Sequence, residues 1–476
     1  MAMAPTPGAE PASGTRLEAL SPVTGEAIGS VAAADGAAIS AAVDEAALVQ
    51  RLWARLRLRD RARYMELAAQ AVIAELDELA DLICAEQGRP RTEAMAMELL
   101  PAVETLRWLA DEGPRVLAGE RAHVAQAVHP GKRARWSYEP LGVVAVLGPA
   151  AEPFATPLGD VAVALMAGNG VVLKPSPHAC LAGERIGRLF ARAGIPEGLL
   201  QVVQGHADAG RALVADPVVA QVRFTGSLGA GREVGQACAR LLRRAVLETG
   251  GKDAMLVLAD APLERAIAGA VWGAFANAGQ SGASVERAIV VAEVAEPFVE
   301  GVVRATRALR VGDPREHDTD VGPLVAHDRL ERVDAALQQA VADGAVVRCG
   351  GVRRGGRGAY VEPVVVTGVH PAMRIMRDEV PGPVLAIAVV DDEADAIALA
   401  NDAEAALSAS VWTADRHKAL RIARELRTGM VWCNDHLTQR GAPQVPWGGA
   451  GGSGIGRARG AIALRTCAEP KAVTWD

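Results

Sequence analysis

The sequence predicts an α/β protein in which helices cover both faces of parallel sheets. After residue 140, short runs of β-branched residues alternate with helical segments, which is typical of a parallel sheet. We predict strands in this part of the chain at 143–147, 171–173, 200–203 and 222–224. A second cycle begins near Lys252, with strands predicted at 288–291, 384–390 and 408–412. Such sheets commonly bind a nucleotide at the carboxyl ends of their strands.

The chain before residue 112 has helical periodicity. Apolar residues recur there at helical spacing with charged residues between them, which predicts an amphipathic layer of helices over 39–112. Two further helices are predicted at 263–276 and 416–426. The segment 122–138 alternates loosely and is interpreted as either a protruding hairpin or a linker. The last strand is predicted at 468–475.

Composition excludes several classes of partner. The 476 residues carry a formal net charge of −7, and the isoelectric point is near 5.8. Since nucleic-acid-binding domains are usually basic, we expect no nucleic-acid partner. The first residues lack the basic and apolar regions of a signal peptide, and no apolar run approaches the roughly 18 residues that span a bilayer. We therefore expect a cytoplasmic protein without a membrane partner.

The six cysteines lie far apart in the sequence. Their spacing matches neither a zinc site nor a disulfide framework. We therefore expect no bound metal and a reducing compartment.

Three features follow predicted strands and could carry chemistry. Lys174 comes directly after a strand, where its ammonium could bind a ribose hydroxyl or a phosphate. Residues 224–227, Phe-Thr-Gly-Ser, join a strand to a helix and offer free backbone amides to a pyrophosphate. Glu248 lies in an apolar strand before a double-glycine turn, and a buried carboxyl is a candidate general base. The alternative interpretations are a surface lysine, an ordinary glycine turn and a structural ion pair.

The segment 275–287 reads Phe-Ala-Asn-Ala-Gly-Gln-Ser-Gly-Ala-Ser-Val-Glu-Arg. It resembles the segment that carries the nucleophilic cysteine of the aldehyde dehydrogenase superfamily. The residues in register with that pattern are Asn277, Gly279, Gln280 and Arg287. The position of the cysteine is Gly282. Glycine has no side-chain atom that could attack a carbonyl, so the nucleophile position is vacant.

Other segments extend the likeness from about residue 17 to the end of the chain. They are the Phe-Thr-Gly-Ser turn, Glu-Thr-Gly-Gly-Lys at 248–252, Glu-Val-Pro-Gly-Pro at 379–383 and Pro-Trp-Gly-Gly at 446–449. The resemblance implies an aldehyde dehydrogenase-like fold with three parts. The assignments are a flexible tail at 1–16, a Rossmann-like dinucleotide-binding domain at 17–119 and 140–250, a second α/β domain of the catalytic type at 251–450, and an oligomerisation element at 120–139 and 451–476. Family members are dimers or tetramers through that element, so we expect a homodimer or homotetramer.

The resemblance also assigns site residues. It places the general base on Glu248. It implies that NAD or NADP binds at Lys174, Ser176, Gly226, Ser227, Thr249 and Glu379. NAD-preferring members often carry a glutamate at the position that is Pro177 here. This proline removes that carboxylate without adding an arginine for the extra phosphate of NADP, so both cofactors remain open.

Further departures from the family pattern concern the chemistry. The asparagine that donates to the oxyanion is replaced by Ala151, and loss of one such donor typically lowers the rate about 10² to 10³ fold. Its neighbour Glu152 would add a negative charge there if it points inward. The phenylalanine that packs near the nicotinamide is replaced by Pro381. These losses are confined to the reacting end of the site.

Three functions are compatible with this pattern. The first is a non-catalytic pseudoenzyme, which acts as a structural or regulatory partner of an active paralogous subunit or as a nucleotide sensor. The second is an oxidoreductase acting on a small-molecule aldehyde or alcohol without a covalent intermediate, with Glu248 as base. The third is ordinary aldehyde dehydrogenase activity through a displaced cysteine, for which Cys433 is the candidate. Ser281 and Ser284 flank the vacant position, but the nearby sequence offers neither of them a base.

Overall fold

The computed structural model describes residues 16–437 and 442–476. The flexible tail predicted at 1–16 lies outside the described residues except for Arg16, which begins the first strand. The elements before the first large sheet are β1 (Arg16–Leu20), β2 (Ala27–Ala32), α1 (Gly36–Trp53), α2 (Leu58–Ala74), α3 (Leu76–Gln87), α4 (Arg91–Glu93), a π-helical turn (Ala94–Leu99), α5 (Leu100–Val116), β3 (Glu120–Ala122) and β4 (Arg133–Pro140).

The first large sheet and its helices follow in the order predicted from the alternation. They are β5 (Val143–Leu147), α6 (Ala155–Ala167), β6 (Gly170–Lys174), α7 (Cys180–Arg192), β7 (Leu200–Val202), α8 (Ala207–Ala215), β8 (Val219–Gly226), α9 (Leu228–Arg240) and β9 (Arg244–Thr249). The central strands β5 to β9 are parallel. The sheet has the order β19-β9-β8-β5-β6-β7.

The second large sheet begins after the double-glycine turn. Its elements and the last part of the chain are β10 (Ala254–Val257), α10 (Leu263–Phe275), β11 (Arg287–Val291), α11 (Ala292–Ala308), α12 (His327–Ala342), β12 (Val346–Cys349), β13 (Val364–Thr367), β14 (Val384–Val390), α13 (Glu393–Asn401), β15 (Ala405–Ala406), β16 (Ser408–Trp412), α14 (Arg416–Glu425), β17 (Met430–Cys433), β18 (Ala450–Gly451), β19 (Gly454–Ile455), α15 (Gly460–Thr466) and β20 (Ala468–Trp475). The order is β12-β13-β14-β11-β10-β16-β17.

Helices bury both faces of the two sheets, which explains why the predicted strands are continuous apolar runs. Strands β5 and β6 are almost completely buried, and α6 in front of them is buried along nearly its whole length. The helical layer predicted for 39–112 is formed by α1, α2, α3 and α5. Helices α2 and α5 pack against each other and share a core with α6. The α/β class predicted from the sequence is therefore confirmed.

Residues 120–140 and the C-terminus form a third sheet. Strand β20 pairs antiparallel with β4 over its full length, and β4 pairs with β3. The segment interpreted as a hairpin or linker is thus an antiparallel ribbon that the C-terminus completes.

The remainder of 451–476, which the sequence analysis gave to the oligomerisation element, packs elsewhere. Strand β19 pairs with β9 in the first sheet, and α15 lies against α5 and α6. The register of β19 with Glu248 and Leu247 makes it an edge strand of the first sheet, and the role of 451–476 in oligomerisation stays a prediction.

No helix within residues 16–437 and 442–476 is long and apolar enough to cross a bilayer.

Candidate functional site

The loop that carries the vacant nucleophile position has an unusual backbone. Three consecutive residues, Asn277, Ala278 and Gly279, have positive φ angles of 55°, 51° and 68°. Only the third is glycine. Non-glycine residues in this left-handed region each cost on the order of 1 kcal/mol, so neighbouring contacts must hold the turn in place.

Those contacts come from Asn277 and two buried residues of the helical layer. The backbone amide of Asn277 donates to Glu93 at 2.8 Å, and its side-chain amide donates to the carbonyl of Ala151 at 2.9 Å. Arg89 donates from Nε to the Asn277 side-chain oxygen at 3.1 Å and from a second nitrogen to the same Ala151 carbonyl. The loop at 277 and the loop at 151 are thereby fixed relative to each other.

Arg89 is itself anchored by a buried ion pair. It is 1% exposed, and its guanidinium contacts the carboxylate of Glu98 at 2.6 Å. The other carboxylate oxygen of Glu98 accepts from the backbone amides of Phe154 and Ala155 at 3.1 and 2.7 Å. Glu98 lies in the π-helical turn, a rare form of helix that often occurs at functional sites. One network therefore links three segments around the candidate site.

Gly282 lies half-buried at the end of this loop. A Cβ built there would meet only Leu407 at 3.6 Å and Gly250 at 3.7 Å, both ordinary contact distances. The position is thus sterically able to hold a side chain. It also lies beside the double-glycine turn that follows Glu248.

Neither of the two serines that flank Gly282 is hydrogen-bonded to a described base that could activate it. The Ser281 hydroxyl accepts from the amide of Ala283 at 3.3 Å, and the buried Ser284 hydroxyl has no hydrogen-bond partner within the described residues. The buried His436 lies close to these serines, and its Nε2 contacts the carbonyl of Ala283 at 2.9 Å. Burial lowers the pKa of His436 to about 4. No described base therefore bonds to either serine.

Cys433 does not approach the vacant position either. It ends β17, where its neighbour Trp432 is buried in the apolar cluster that contains Leu407. Since side chains alternate across a strand, Cys433 faces the other way, and it is exposed. The geometry gives no support to a displaced cysteine at this residue.

Glu248 is buried at the end of β9, as predicted. Its carboxylate accepts a hydrogen bond from the indole nitrogen of Trp447 at 2.8 Å. Trp447 and Trp432 lie 6.0 Å apart between ring centres and belong to the same apolar cluster. The carboxylate is thus held by a rigid aromatic wall on the side away from the first sheet.

Five of the six residues assigned to the dinucleotide lie at or just after the carboxyl ends of β6, β8 and β9, and Glu379 lies in the loop before β14. Lys174 ends β6, and its buried ammonium donates to the neighbouring Pro175 carbonyl at 3.0 Å. Burial lowers the pKa of Lys174 to about 8. Ser176 caps the short turn after the strand through the amide of His178 at 3.2 Å.

Gly226 and Ser227 connect β8 to α9. The Ser227 hydroxyl caps α9 through the amide of Ala230 at 3.4 Å. A Cβ on Gly226 would lie 2.7 Å from the ring of Phe224, so the turn requires glycine. At Gly229 the space beside the helix is open, because a Cβ there would meet no atom within 4 Å. The first turn of α9 therefore presents backbone amides to an open cavity.

That cavity has a volume of about 510 Å³ and lies between the two sheets. Its lining includes Ser227, Gly250, Arg332, Glu379 and Pro381. Thr249, just outside it, donates from its hydroxyl to the Gly452 carbonyl at 2.7 Å. Of the site residues predicted from the sequence, Ser227 and Glu379 line this cavity, whereas Glu248 lines a separate pocket together with Trp447.

The carboxylate of Glu379 projects toward Gly250, where any Cβ would collide with it. Loss of solvent in the depth of the cleft raises the pKa of Glu379 to about 7. Arg329, on the first turn of α12, donates to the side-chain oxygen of Gln280 at 3.3 Å. Its guanidinium also interacts electrostatically with the carboxylates of Glu379 and of the buried Glu152. Charged groups therefore crowd the end of the cleft that is nearest the vacant position.

Comparison with known proteins agrees with this geometry. The model described as the aldehyde dehydrogenase family matches residues 9–473. The chain belongs to the aldehyde dehydrogenase family. Among curated relatives, the 4,4'-diapolycopene aldehyde oxidase of Methylomonas sp is 37% identical over 457 residues, covering 96% of this chain and 85% of that protein.

Other aldehyde dehydrogenases are similarly close. The betaine aldehyde dehydrogenase of Cereibacter sphaeroides is 35% identical over 465 residues, covering 98% of this chain and 94% of that protein. The NAD⁺ complex of an aldehyde dehydrogenase from Bacillus cereus has a TM-score of 0.93 at 31% identity, covering 97% of this chain and 93% of that one. The fold expected from the resemblance is confirmed over nearly the whole chain.

Sequence reasoning missed several residues of this aldehyde dehydrogenase-family site. Arg89, Glu93 and Glu98 precede the recognisable motifs, and charged residues in an amphipathic layer give no signal of burial. Arg329 and Arg332 lie on α12, a helix that the sequence patterns did not predict. Within the described residues, no group of histidine, cysteine, aspartate or glutamate side chains is placed to hold a metal ion.

Proposed function

We propose that this protein is a non-catalytic member of the aldehyde dehydrogenase family that binds NAD or NADP and acts as a structural or regulatory partner. One observation carries the proposal. At Gly282, where the family resemblance places the nucleophile, there is space for a side chain and no side chain. Covalent catalysis requires an activated side-chain atom, and neither Ser281 nor Cys433 supplies one.

The surroundings of the vacant position support the same proposal. The Ala151 side chain cannot donate to an oxyanion, and its carbonyl accepts from Asn277 and Arg89. The loop at 151 therefore offers no side-chain donor to an oxyanion. The buried charge of Glu152 opposes an oxyanion as well. Restoring a nucleophile alone would leave both obstacles in place.

Retained groups around the cleft support dinucleotide binding. Lys174 and the first turn of α9 provide a cation and free amides, and Ser176, Gly226, Ser227 and Thr249 shape the turns around them. Glu379 offers acceptors for ribose hydroxyls. These donor and acceptor types fit the adenosine and pyrophosphate portions of NAD or NADP. The bound NAD⁺ of the Bacillus cereus protein adds support by similarity.

We further propose a cytoplasmic homodimer or homotetramer assembled through the sheet of β3, β4 and β20. This sheet exposes β20 along most of its length, which leaves an edge and a face for a second copy. An active paralogous subunit would fit the same surface if the protein is a regulatory partner.

A second candidate is an oxidoreductase that works without a covalent intermediate. Gly282 lies against Gly250, two residues after Glu248, so a substrate hydroxyl in the vacant space could approach that carboxylate. Glu248 would accept the hydroxyl proton of an aldehyde hydrate or an alcohol. The dinucleotide, when bound, supplies the hydride acceptor. The names of the relatives make betaine aldehyde and long apolar aldehydes the first substrates to try.

A turnover assay tests the two candidates. The purified chain is incubated with NAD⁺ or NADP⁺ and a panel of aldehydes and alcohols that includes betaine aldehyde and apolar polyene aldehydes, beside a Glu248→Ala control. We expect no reduced cofactor from either protein. Reduced cofactor formed by the wild type and lost in the control would reject the non-catalytic proposal and favour the second candidate.

A further inference from the structure

The cavity between the two sheets is polar at the end where a nicotinamide ring would lie. Its lining residues include Arg332, Arg374, Arg377, Glu379 and Glu404, and no aromatic side chain occurs among the described lining residues. At the position that the family resemblance assigns to a ring-packing phenylalanine, the lining residue is Pro381. A flat aromatic ring therefore finds no stacking partner there.

The charges at this end do not suit the ring either. The nicotinamide of an oxidised dinucleotide is a cation. Arg332 lines the cavity, and Arg329 lies one helical turn before it on α12. Lys252 adds a third cation, which is paired with Glu286. Glu379 would be the natural counter-charge, but with a pKa of about 7 it carries only part of its negative charge at neutral pH.

The other end of the cavity remains suited to phosphate. The first turn of α9 directs backbone amides into open space at Gly229, and the buried Lys174 ends β6, which lies two strands from β8 in the same sheet. At the inner end Arg332 offers a guanidinium to a terminal phosphate, and this is the side chain that best matches phosphate geometry. Hydrogen-bond donors for a diphosphate thus lie along the cleft, whereas no aromatic side chain among the described lining residues could stack on a ring at its inner end.

We propose that the ligand of this site is an adenosine diphosphate compound without a nicotinamide ring, such as ADP or ADP-ribose, and that the ring of NAD⁺ adds nothing to binding. This inference rests on the proposed dinucleotide site and names its ligand more narrowly. The distal phosphate or free ribose lies between Arg332 and Glu379. Arg332 donates to it, and Glu379 accepts from a ribose hydroxyl.

The test is isothermal titration calorimetry of the purified full-length chain with NAD⁺, NADP⁺, ADP-ribose and ADP. We expect ADP-ribose to bind as tightly as NAD⁺, or more weakly by no more than about threefold. A larger preference for NAD⁺ overturns the inference while leaving the proposed dinucleotide site intact. Absence of heat and of thermal shift with all four ligands at millimolar concentration overturns both.

Two matched variants test the role given to Arg332. Arg332→Gln removes a charged donor, so we expect the affinity for ADP-ribose to fall about tenfold. Arg416→Gln removes an exposed arginine on α14 that does not line the cavity, and we expect no change. Equal affinities of the two variants for ADP-ribose would overturn the assignment of the distal group to Arg332.

Discussion

Replacing Gly282 by cysteine places a thiol at the position that the resemblance assigns to the nucleophile, at little structural cost. The nearest atoms to a Cβ at this position are 3.6 and 3.7 Å away, and the φ angle lies outside the left-handed region that favours glycine. Replacing glycine where the backbone is compatible also reduces the entropy of the unfolded chain, by about 0.4 to 1 kcal/mol for an alanine. We expect Gly282→Cys to fold and to be at least as stable as the wild type.

The same variant should have little dehydrogenase activity. A thiolate attack would create an oxyanion beside Ala151, which has no side-chain donor, and one missing donor typically costs about 10² to 10³ in rate. The double variant Gly282→Cys, Ala151→Asn adds the amide. We therefore expect it to exceed the single variant by about 10² to 10³ fold in kcat with the same aldehyde, since the added donor acts mainly in the transition state.

The assay is formation of reduced cofactor, combined with mass spectrometry of the protein to detect an acyl adduct on Cys at 282. Ala151→Asn alone serves as the control, because it has the donor without the nucleophile and should be inactive. If the single cysteine variant is as active as the double variant, the argument from the oxyanion is wrong. If neither variant turns over but an acyl adduct forms together with one equivalent of reduced cofactor, the block lies after hydride transfer, and the argument also fails.

Two further predictions concern stability. Arg89→Ala breaks the buried pair with Glu98 and should lower the free energy of unfolding, measured by denaturant titration, by about 3 to 5 kcal/mol. The control Arg91→Ala removes an exposed pair and should lower it by no more than about 1 kcal/mol. Similar losses in the two variants would contradict the structural role of the Arg89 network. Burial raises the pKa of Glu93 from 4.5 to about 7, so between these pH values the folded state keeps a proton that the unfolded state has lost, and stability falls as the pH rises. Glu93→Gln should reduce that fall between pH 5 and 7 by up to about 3 kcal/mol, and an unchanged slope in thermal melts would refute the assignment.

Local patterns predicted much of the fold because both sheets are buried on both faces. Strands β5 and β14 are continuous apolar runs, and β16 is a fully buried strand that contains two serines. The positions of all three agree with the predictions to within a residue. The short strands β12 and β13 were missed. Strand β12 is mostly exposed and has a weak pattern, whereas β13 is a buried run of only three valines, too short to be assigned by periodicity.

The family motifs could also be recognised from the sequence. Each is contiguous, so the segment around Gly282 and the turn after Glu248 could be recognised without any knowledge of their neighbours. The glycine at position 282, where the resemblance places the nucleophile, is likewise read directly from the sequence.

Relations between distant segments required the tertiary structure. Arg89 and Asn277 are separated by 188 positions, and Glu248 and Trp447 by 199, yet each pair is hydrogen-bonded. Nothing in local periodicity indicates which of many charged residues will be buried, because burial depends on how whole layers pack. The same applies to β19, whose two residues join the first sheet only because β9 is there to pair with them.

The sequence by itself therefore determined the α/β class, the family and the presence of glycine at position 282. Only the tertiary structure decided that Cys433 faces away from that position, that the Ala151 carbonyl is held by Arg89, and that charges line the inner end of the cleft. The physical reason is that composition and spacing are local properties of the chain, whereas the direction of a side chain and the charge around it arise from segments that meet only in the folded state.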